Sequence, residues 1–579
     1  MVRDGAVFPD GSEVWVPIEP SYPDLLDVAG AKILVALGRL RPGVEPSAAA
    51  RELGALSAGV SGGAPGARLT PLKERLLGDV HTPLLLLQAA VLLVLLAACA
   101  NAGGLLLART VRLRTALAVR TSLGAGGGRL ARALLAEGLL LGLGAGLVGL
   151  GLATVLLRPT LALVPAGLPR LAEVSLEPLV VLVSLALASA TGVATSLAPA
   201  VAGARTSPGT LLREAGGSAG SAPWLRRLLE GLVVGQVALA MLLTVGAGLL
   251  VRSFVSTVRQ DPGFDPSRVT VVDISLPDYR YPDGAARAAF AHQLLERAAA
   301  FPGARRVALG RNLPVSGSNM TSPLMVEGST ETTAAVQIAA VTEGYFDVLG
   351  IPLEEGSGFG DADREGGPPV LVVDETVRTA EGRPLGVGER AHSFFGRGGM
   401  RDVVGLVGPV RHAGLRSAPV AVAYEPFFQR GVTPGFSLLV RSTAPASSVA
   451  SAARALVLEL DPQLPVDRVG TMADRVSRSL AEPRFYTVGL TVFGVLALLL
   501  ALAGCQAGLA HRVAARRREM GLRMALGASN RTVRTLVVRR GMGLTAAGAL
   551  LGILVALPAS RLLRSQLYGV TSSDPLTYA

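Results

Sequence analysis

The chain is poor in the residue types that form disulfides, phosphate cradles and metal sites. Its 579 residues include two cysteines, Cys99 and Cys505, and both lie inside apolar runs, so the segments between the runs have no disulfide framework. Lysine occurs only at Lys32 and Lys73, and no G-x-x-x-x-G-K-[ST] loop is present, which argues against ATP hydrolysis by this chain. The five histidines are scattered. We therefore assign no catalytic residue, no metal and no cofactor.

Long apolar runs dominate the rest of the sequence. Half of the residues are hydrophobic (50%) and the mean hydropathy is +0.47, which indicates an integral membrane protein. A spanning helix needs ~20 predominantly apolar residues, and the stretch 253–483 has no such run. That stretch alternates strand-like patterns with helical ones, such as 284–301 and 446–460, so we expect it to be mixed α/β. The predicted spans lie at about 84–107, 138–157, 178–201, 232–251, 486–510 and 541–560.

The predicted spans contain no Asp, Glu, Lys or Arg. Such a group costs ~2.5–3.5 kcal/mol at the centre of a span on insertion scales, and polar translocation paths usually contain them. Their absence weakens the case for a secondary transporter. The run 138–157 has small residues at four-residue spacing instead, at Gly138, Gly142 and Gly146, and this spacing predicts close approach of a neighbouring helix.

A basic segment occurs twice. Residues 117–130 read LAVRTSLGAGGGRL, and residues 520–533 read MGLRMALGASNRTV. Placing Gly124 on Gly527 gives an offset of 527 − 124 = 403, and this repetition predicts two related halves in tandem. The positions that the offset aligns include Arg109 with Arg512, Arg114 with Arg517, Arg120 with Arg523, and Leu123 with Leu526.

Arginine clusters predict the orientation of the spans. The net charge is +12, and arginine is concentrated in the loops 108–137 and 511–540. Short arginine-rich loops stay cytoplasmic, so a nucleic-acid surface is the weaker explanation and we expect no nucleic-acid partner. The predicted organisation is a partial extracytoplasmic domain at 1–80, three spans at 81–203 with the cytoplasmic coupling loop 108–137, a cytoplasmic linker at 204–230, a span at 231–252, an extracytoplasmic α/β domain at 253–483, two spans at 484–560 with the coupling loop 511–540, and an extracytoplasmic tail at 561–579.

The same offset extends into the first predicted domain, where the segment around Arg51 aligns with that around Arg454. The first predicted domain then corresponds to the C-terminal part of a domain whose N-terminal part would precede Met1. The run 178–201 should likewise recur beyond Ala579. We therefore expect the chain to be truncated at both ends, relative to a version with two more spans.

Each half resembles the FtsX-like, MacB-type permeases of ABC transporters, in their duplicated-permease form. Those permeases have a first span, a large extracytoplasmic domain and three more spans, with a short cytoplasmic helix that carries an R-x-x-LGA signature. The phrases VTEGYFDVLGIPL at 341–353 and VVGLVGPVRHAGL at 403–415 are also similar to the family. The signature stands in this chain as Arg120 with Leu123-Gly124-Ala125 and as Arg523 with Leu526-Gly527-Ala528.

The resemblance implies a multi-pass protein of the bacterial inner membrane, whose partners are the lipid bilayer and a cytoplasmic ABC ATPase subunit. A periplasmic adaptor or a cell-wall protein is a further partner that it suggests. Glu519 fits the acidic position of the family, whereas the first half has Ala116 there. The expected ATPase-coupling residues are Arg120, Leu123, Gly124, Ala125, Glu519, Arg523, Leu526, Gly527 and Ala528.

The residues of the repeated segment also suit a mechanical role. A helix that runs through the arginine would end near the glycine, where a left-handed cap costs little free energy. A short charged helix at the membrane surface could then serve as a binding site for a soluble partner. Three explanations stay open. The chain is the membrane subunit of an ABC-type efflux or mechanotransmission system, or an FtsX-like scaffold that controls a cell-wall hydrolase, or an ATP-independent membrane protein whose basic loops only orient it and contact lipid phosphates.

Overall fold

The fold is taken from a computed structural model of the chain, which divides into two compact units. The helical unit consists of Met1–Ala247 and Val488–Ser560, and the α/β unit of Gly248–Thr487 and Arg561–Ala579. The residues that the structure describes are 37–60, 69–112, 120, 123, 126–164, 174–204, 223–301, 303–316, 321–329, 332–334, 336–393, 399–515, 517–526 and 529–578.

Helices account for nearly all of the described part of the helical unit, as the long apolar runs predict. Two of them, α5 and α11, continue into the α/β unit. The helices of the first half are α1 (Pro46–Val60), α2 (Leu72–Arg112), α3 (Gly127–Leu163), α4 (Pro178–Ala204) and α5 (Pro223–Val258). Those of the second half are α11 (Ala481–Ala515), α12 (Arg517–Ala525) and α13 (Asn530–Ala559).

Six helices of the described chain are long and apolar enough to cross a membrane, which confirms the predicted number of apolar helices. Each of them contains one of the predicted runs. The helices extend beyond those runs, and α5 does so at both ends, because hydropathy locates the apolar centre of a helix but not its caps. The candidate spans are Thr82–Thr110, Gly127–Leu163, Pro178–Val201, Arg227–Val258, Ala481–Ala510 and Val537–Gln566.

Helices α3 and α4 pack closely through small residues, as the glycine spacing predicts. A Cβ added to Gly138 would lie 2.5 Å from the carbonyl oxygen of Gly192, and one added to Gly142 would lie 2.5 Å from that of Ala188. Any side chain larger than hydrogen would therefore push the two backbones apart. Gly144, on the same helix, has open space around its Cβ position, so only one face of α3 is used.

In the described part of the α/β unit, twelve strands form one sheet. Its strand order is β12-β1-β11-β2-β5-β10-β7-β9-β8-β4, with β3 paired to β5 and β6 paired to β9. The strands are β1 (Val269–Ser275), β2 (Ala304–Gly310), β3 (Thr321–Ser322), β4 (Leu324–Val326), β5 (Val336–Val341), β6 (Leu353–Gly356), β7 (Val370–Asp374), β8 (Arg390–Ser393), β9 (Arg401–Val407), β10 (Val422–Pro426), β11 (Gly435–Ser442) and β12 (Val466–Thr471).

The sheet combines antiparallel and parallel pairing, which makes the unit mixed α/β as predicted. Strand β1 lies antiparallel between β11 and β12, whereas β5 runs parallel to β10 and β7 runs parallel to β9. Strand β7 is buried along its whole length, in keeping with the valine and leucine of its first four residues, and its last residue is the buried Asp374. The helices of the unit are α6 (Gly284–Ala299), α7 (Tyr345–Leu349), α8 (Phe427–Arg430), α9 (Ala446–Leu460), α10 (Met472–Ser479) and α14 (Pro575–Tyr578).

The core under the antiparallel strands explains why two amphipathic helices cover them. Helices α6 and α9 contribute residues such as Leu294 and Val457, both fully buried, to one cluster with Val272 and Leu438 of the sheet. These helices correspond closely to the helical patterns predicted at 284–301 and 446–460. Removal of this apolar surface from water contributes about 25 cal/mol per Å² to stability.

Candidate functional site

In the second copy of the repeated segment, a short helix is followed by an exposed leucine. Helix α12 ends at Ala525, and Leu526 follows with 85% of its surface exposed. Arg523, in the last turn of α12, is also exposed, and Glu519 lies within the same helix. Gly527 and Ala528 lie outside the described residues. The helix therefore ends one residue before the leucine of the signature, close to the position that the sequence predicts.

The first copy presents the equivalent leucine in the same way. Leu123 lies in a turn with 83% of its surface exposed, and Arg120 is helical and exposed. Gly124 and Ala125 lie outside the described residues. Helix α3 begins within the repeated segment, at Gly127, with Gly126 in extended conformation before it.

Single exposed leucines on a protein surface need no explanation. These two lie between candidate spans rather than within them, so hydrocarbon does not account for their exposure. Each follows an exposed arginine by three residues, at positions that the repeat offset equates. Arginine is enriched at protein interfaces, and a partner that covers an exposed leucine removes its apolar surface from water.

A salt bridge joins the helices on either side of the first segment. The guanidinium of Arg109, in the last turn of α2, contacts the carboxylate of Glu137 in α3. The position equivalent to Glu137 in the second half is Arg540 of α13, which lies 3.4 Å from a carboxylate oxygen of Glu230 in α5. Both pairs connect a helix that follows a repeated segment to another helix of the same unit. Charge patterning at the ends of the runs was the signal in the sequence that could have identified Glu137 and Glu230.

A second group of contacts, within the α/β unit, joins the end of one candidate span to the segment that follows another. The guanidinium of Arg252, near the end of α5, forms a salt bridge with Asp574. The next residue, Ser253, is 4% exposed, and its hydroxyl oxygen accepts a hydrogen bond of 2.8 Å from the backbone N–H of Tyr568. These contacts join α5 to the segment that follows α13. They cross more than 300 residues of sequence, so the sequence alone gave no signal for them.

Arg416 makes a third contact of this kind. Its guanidinium donates a hydrogen bond of 2.7 Å to the backbone carbonyl of Gln566, the last residue of the span Val537–Gln566. Burial lowers the pKa of Arg416 from its ordinary value, and the carboxylate of Glu482 opposes that shift. Arg416 comes from the loop after β9, so the sheet itself is connected to the end of this span.

The interior of the α/β unit holds polar groups that are structural. Glu425, fully buried, accepts a hydrogen bond of 2.7 Å from the hydroxyl of Ser393 and forms a salt bridge with Arg430. Burial lowers the pKa of His412 to about 4, so this ring is neutral at pH 7 beside the hydroxyl of Tyr424, 3.3 Å away. Across the described ranges, no group of three or more His, Cys, Asp or Glu side chains could hold a metal ion.

Two family models match the chain. The model of a MacB-like periplasmic core domain matches residues 230–456, and that of an FtsX-like permease C-terminal region matches residues 491–578. The first match covers the end of the linker, α5 and most of the sheet. The second covers most of α11, the second repeated segment and the segment that carries Asp574.

The chain is also similar to individual proteins. It is 28% identical over 268 residues to a macrolide export ATP-binding/permease protein, MacB 1/2, of Paracoccus denitrificans, and the match covers 42% of this chain and 36% of that relative's length. Among solved structures it is similar to the periplasmic region of MacB from Actinobacillus actinomycetemcomitans, with 13% identity, 38% of this chain and 95% of that chain covered, and a TM-score of 0.27. The extracellular domain of the ABC-type transporter YknZ from Gram-positive bacteria gives 15% identity, 35% and 98% coverage, and a TM-score of 0.24.

Proposed function

Because the chain belongs to the FtsX-like, MacB-type family of ABC transporter permeases, we propose that it couples ATP hydrolysis by a separate cytoplasmic subunit to movement of its extracytoplasmic α/β domain. In this account the work is done outside the membrane, in efflux or mechanotransmission. The predicted spans contain no Asp, Glu, Lys or Arg side chain that would serve a polar path through the membrane. The matched relative combines ATP-binding and permease functions by name, whereas this sequence has no phosphate-binding loop.

One observation carries the proposal: the repeated segments present the same apolar side chain, beside an arginine, between membrane-spanning helices. Leu123 and Leu526 are 83% and 85% exposed, and Arg120 and Arg523 precede them by three residues. A nucleotide-binding subunit that covers both leucines would remove two large apolar groups from water. Each would contribute about 1.5–3 kcal/mol to binding.

The contacts within the α/β unit support a route for the movement. Helix α5, helix α11 and the end of the span Val537–Gln566 all belong in part to that unit. Arg252 is joined to Asp574 by a salt bridge, and Arg416 is hydrogen-bonded to the carbonyl of Gln566. Movement of these helix ends would therefore be passed to the sheet through contacts within the α/β unit.

The tandem-repeat organisation is part of the same proposal, because two coupling segments would let one chain act as a pseudo-dimer. Helices α3 and α13 begin at Gly127 and Asn530, which are separated by the offset of 403 residues that aligns the two signatures. The aligned segments around Arg51 and Arg454 are helical in both halves. These parallels support related halves.

The topology that we propose places 108–137, 204–230 and 511–540 in the cytoplasm, and 1–80, 253–483 and 561–579 outside. The concentration of arginine in the loops supports this orientation.

Co-purification tests the proposal. The tagged chain is extracted from its native membrane in mild detergent, and the proteins recovered with it are identified by mass spectrometry. We expect an ATP-binding subunit, and we expect its recovery to fall by at least roughly tenfold in the Arg120→Glu/Arg523→Glu variant, since a reversed charge repels a partner that recognises arginine. Arg305→Glu, on the exposed part of β2, is the matched control and retains the subunit.

The recovered proteins also separate the alternatives. A cell-wall hydrolase recovered with the ATP-binding subunit would identify the chain as an FtsX-like regulatory scaffold. Absence of any ATP-binding subunit after chemical crosslinking would overturn the coupling proposal and leave an ATP-independent membrane protein.

A further inference from the structure

The α/β unit contains a cavity of about 440 Å³ with a strongly basic lining. Four arginines line it, and Glu482 is the one carboxylate among the described lining residues. The volume lies within the range of ~300–1,000 Å³ that small-molecule sites occupy. None of these residues belongs to the repeated segments, so the cavity is independent of the ATPase-coupling proposal. The four arginines are Arg416, Arg468, Arg475 and Arg478.

The sheet and a short helix fix three of the arginines. Arg468 lies on β12, and Arg475 and Arg478 lie on α10, where a spacing of three residues puts them on one face. A capping box fixes the start of α10: the backbone N–H of Asp474 donates to the hydroxyl of Thr471, and the Asp474 carboxylate accepts from the N–H of Thr471, at 3.0 and 2.9 Å. The arginines are therefore presented by ordered backbone rather than by a long loop.

The lining has more positive charge than its acids neutralise. Arg475 forms a salt bridge with Asp273, and Arg416 has the carboxylate of Glu482 nearby. Arg468 and Arg478 are exposed and form no salt bridge within the described residues, and the charge of Arg478 is partly offset by Asp474, whose pKa it helps to lower. Like charges that face one cavity repel each other, so a bound anion would lower the energy of the arrangement. Guanidinium groups bind phosphate oxygens in bidentate fashion, with donors in a fixed planar fork.

The cavity lies where the α/β unit meets the ends of two candidate spans. Glu482 and Pro483 line it and lie in the first turn of α11, within the span Ala481–Ala510. Arg416 lines it and donates to Gln566 at the end of the span Val537–Gln566. In the topology proposed above, the bilayer thickness would place these span ends at the level of the lipid headgroups of the outer leaflet.

Apolar residues complete the lining and favour a lipid over a free ion. Leu415, which is 4% exposed, and Leu480 line the same cavity as the arginines. Inorganic phosphate would leave most of a cavity of this size to water, whereas a phospholipid offers an anionic group together with a glycerol and acyl portion. Basic pockets next to membrane spans on the cytoplasmic side are known to bind anionic headgroups, and the same chemistry is available to a basic pocket on the outer side.

We propose that the cavity lined by Arg416, Arg468, Arg475 and Arg478 binds the phosphate group of an anionic phospholipid from the outer leaflet of the membrane. The two arginines without salt bridges hold the phosphate oxygens, and Leu415 and Leu480 contact the glycerol end of the lipid. The bound lipid then joins β12 and α10 to the first turn of α11.

Lipid titration followed by native mass spectrometry tests the site on the full chain. The protein is delipidated in detergent and titrated separately with phosphatidylglycerol, phosphatidylcholine and inorganic phosphate. We expect one phosphatidylglycerol to bind more tightly than the other two, and its affinity to fall roughly thirtyfold in Arg468→Gln/Arg478→Gln. Arg468→Lys/Arg478→Lys keeps the charge but loses the bidentate geometry, so it should lose less. Arg305→Gln is the control on an exposed strand position and should bind as the unmodified chain does.

Three results would overturn the proposal. Equal phosphatidylglycerol affinity in the glutamine variant and the unmodified chain would show that the arginines do not bind the lipid. Equal affinity for phosphatidylcholine would show that the site does not recognise the anion. Saturation by inorganic phosphate with no binding of phosphatidylglycerol would show that the cavity takes a soluble phosphate compound. The Arg305→Gln and lysine variants separate these results from a general loss of folding.

Discussion

Leu123 and Leu526 are separated by 403 residues in the chain and are exposed to almost the same extent, 83% and 85% of their surfaces. Both stand three residues after an arginine and between candidate membrane spans. Lipid contact explains the exposed leucines inside the spans, but it does not explain these two. We infer that a soluble partner covers them.

Substitution of these leucines should weaken the partner complex. Leu526→Asp introduces a charge where the partner buries an apolar group, and we expect the affinity for the ATP-binding subunit to fall by at least roughly tenfold. Leu123→Asp should have the smaller effect, because the first half has Ala116 where the second has Glu519. Leu458→Asp, at a half-exposed position of α9, is the control. Equal affinities for all three variants in a binding titration would contradict the prediction.

The salt bridge between Arg252 and Asp574 should be needed for transmission rather than for partner binding. Asp574 is largely buried and Arg252 is partly exposed, so we expect either Arg252→Glu or Asp574→Arg to cost about 1–2 kcal/mol of stability, reduced by solvent at the arginine. Each variant should still bind the ATP-binding subunit. In the reconstituted complex, however, the variant chain should no longer stimulate ATP hydrolysis by that subunit. The double variant restores the pair with exchanged charges, and failure of this exchange to recover any stimulation would argue against the contact as a transmission point.

The effect of a glycine-to-alanine substitution in α3 on stability should depend on whether the substituted face packs against α4. Gly138→Ala places a methyl group 2.5 Å from the carbonyl oxygen of Gly192, so the backbones must separate. We expect a loss of about 1–3 kcal/mol, the usual cost of overpacking. Gly144→Ala, where nothing lies within 4 Å of the new methyl group, is the matched control on the same helix. Thermal unfolding in detergent compares the two, and identical midpoints would show that close packing at Gly138 is unimportant.

The free energy of unfolding should decrease as the pH falls, because the ring of His412 is buried in its neutral form. Burial lowers the pKa of His412 in the folded chain to about 4, against 6.5 for an unperturbed ring. The unfolded chain therefore takes up the proton first, and the free energy of unfolding decreases as the pH falls from about 6.5 to about 4, by up to roughly 3 kcal/mol. The unfolding midpoint of the His412→Phe variant should depend less on pH in this window than that of the unmodified chain. His292→Phe, at an exposed position of α6, controls for loss of a histidine, and equal slopes in the two variants would refute the assignment.

Periodicity and hydropathy predicted the local elements because each depends on a short stretch of sequence. The runs that became α3 and α4, and the amphipathic pattern of α9, could be identified from their own residues. The glycine spacing from Gly138 also predicted close helix packing, because residues four positions apart lie on the same face of a helix. These features required no knowledge of the tertiary fold.

Contacts between distant segments could not be predicted in the same way. Arg252 and Asp574 are 322 residues apart, and nothing near either residue indicates the other as its partner. The basic cavity is formed by Arg416 from one loop and by Arg475 from α10, which meet only after the sheet has formed. Such sites depend on strand order, and strand order in a sheet with crossovers is not encoded in any one segment.

Site-specific photocrosslinking at the two leucines tests the coupling proposal most directly. A photoreactive residue is placed at position 123, 526 or 458 in the full chain, and membranes that contain the whole complex are irradiated. The account predicts covalent adducts of the ATP-binding subunit from positions 123 and 526 and none from position 458. Adducts only with lipid at positions 123 and 526, in membranes where the ATP-binding subunit is present, would contradict it.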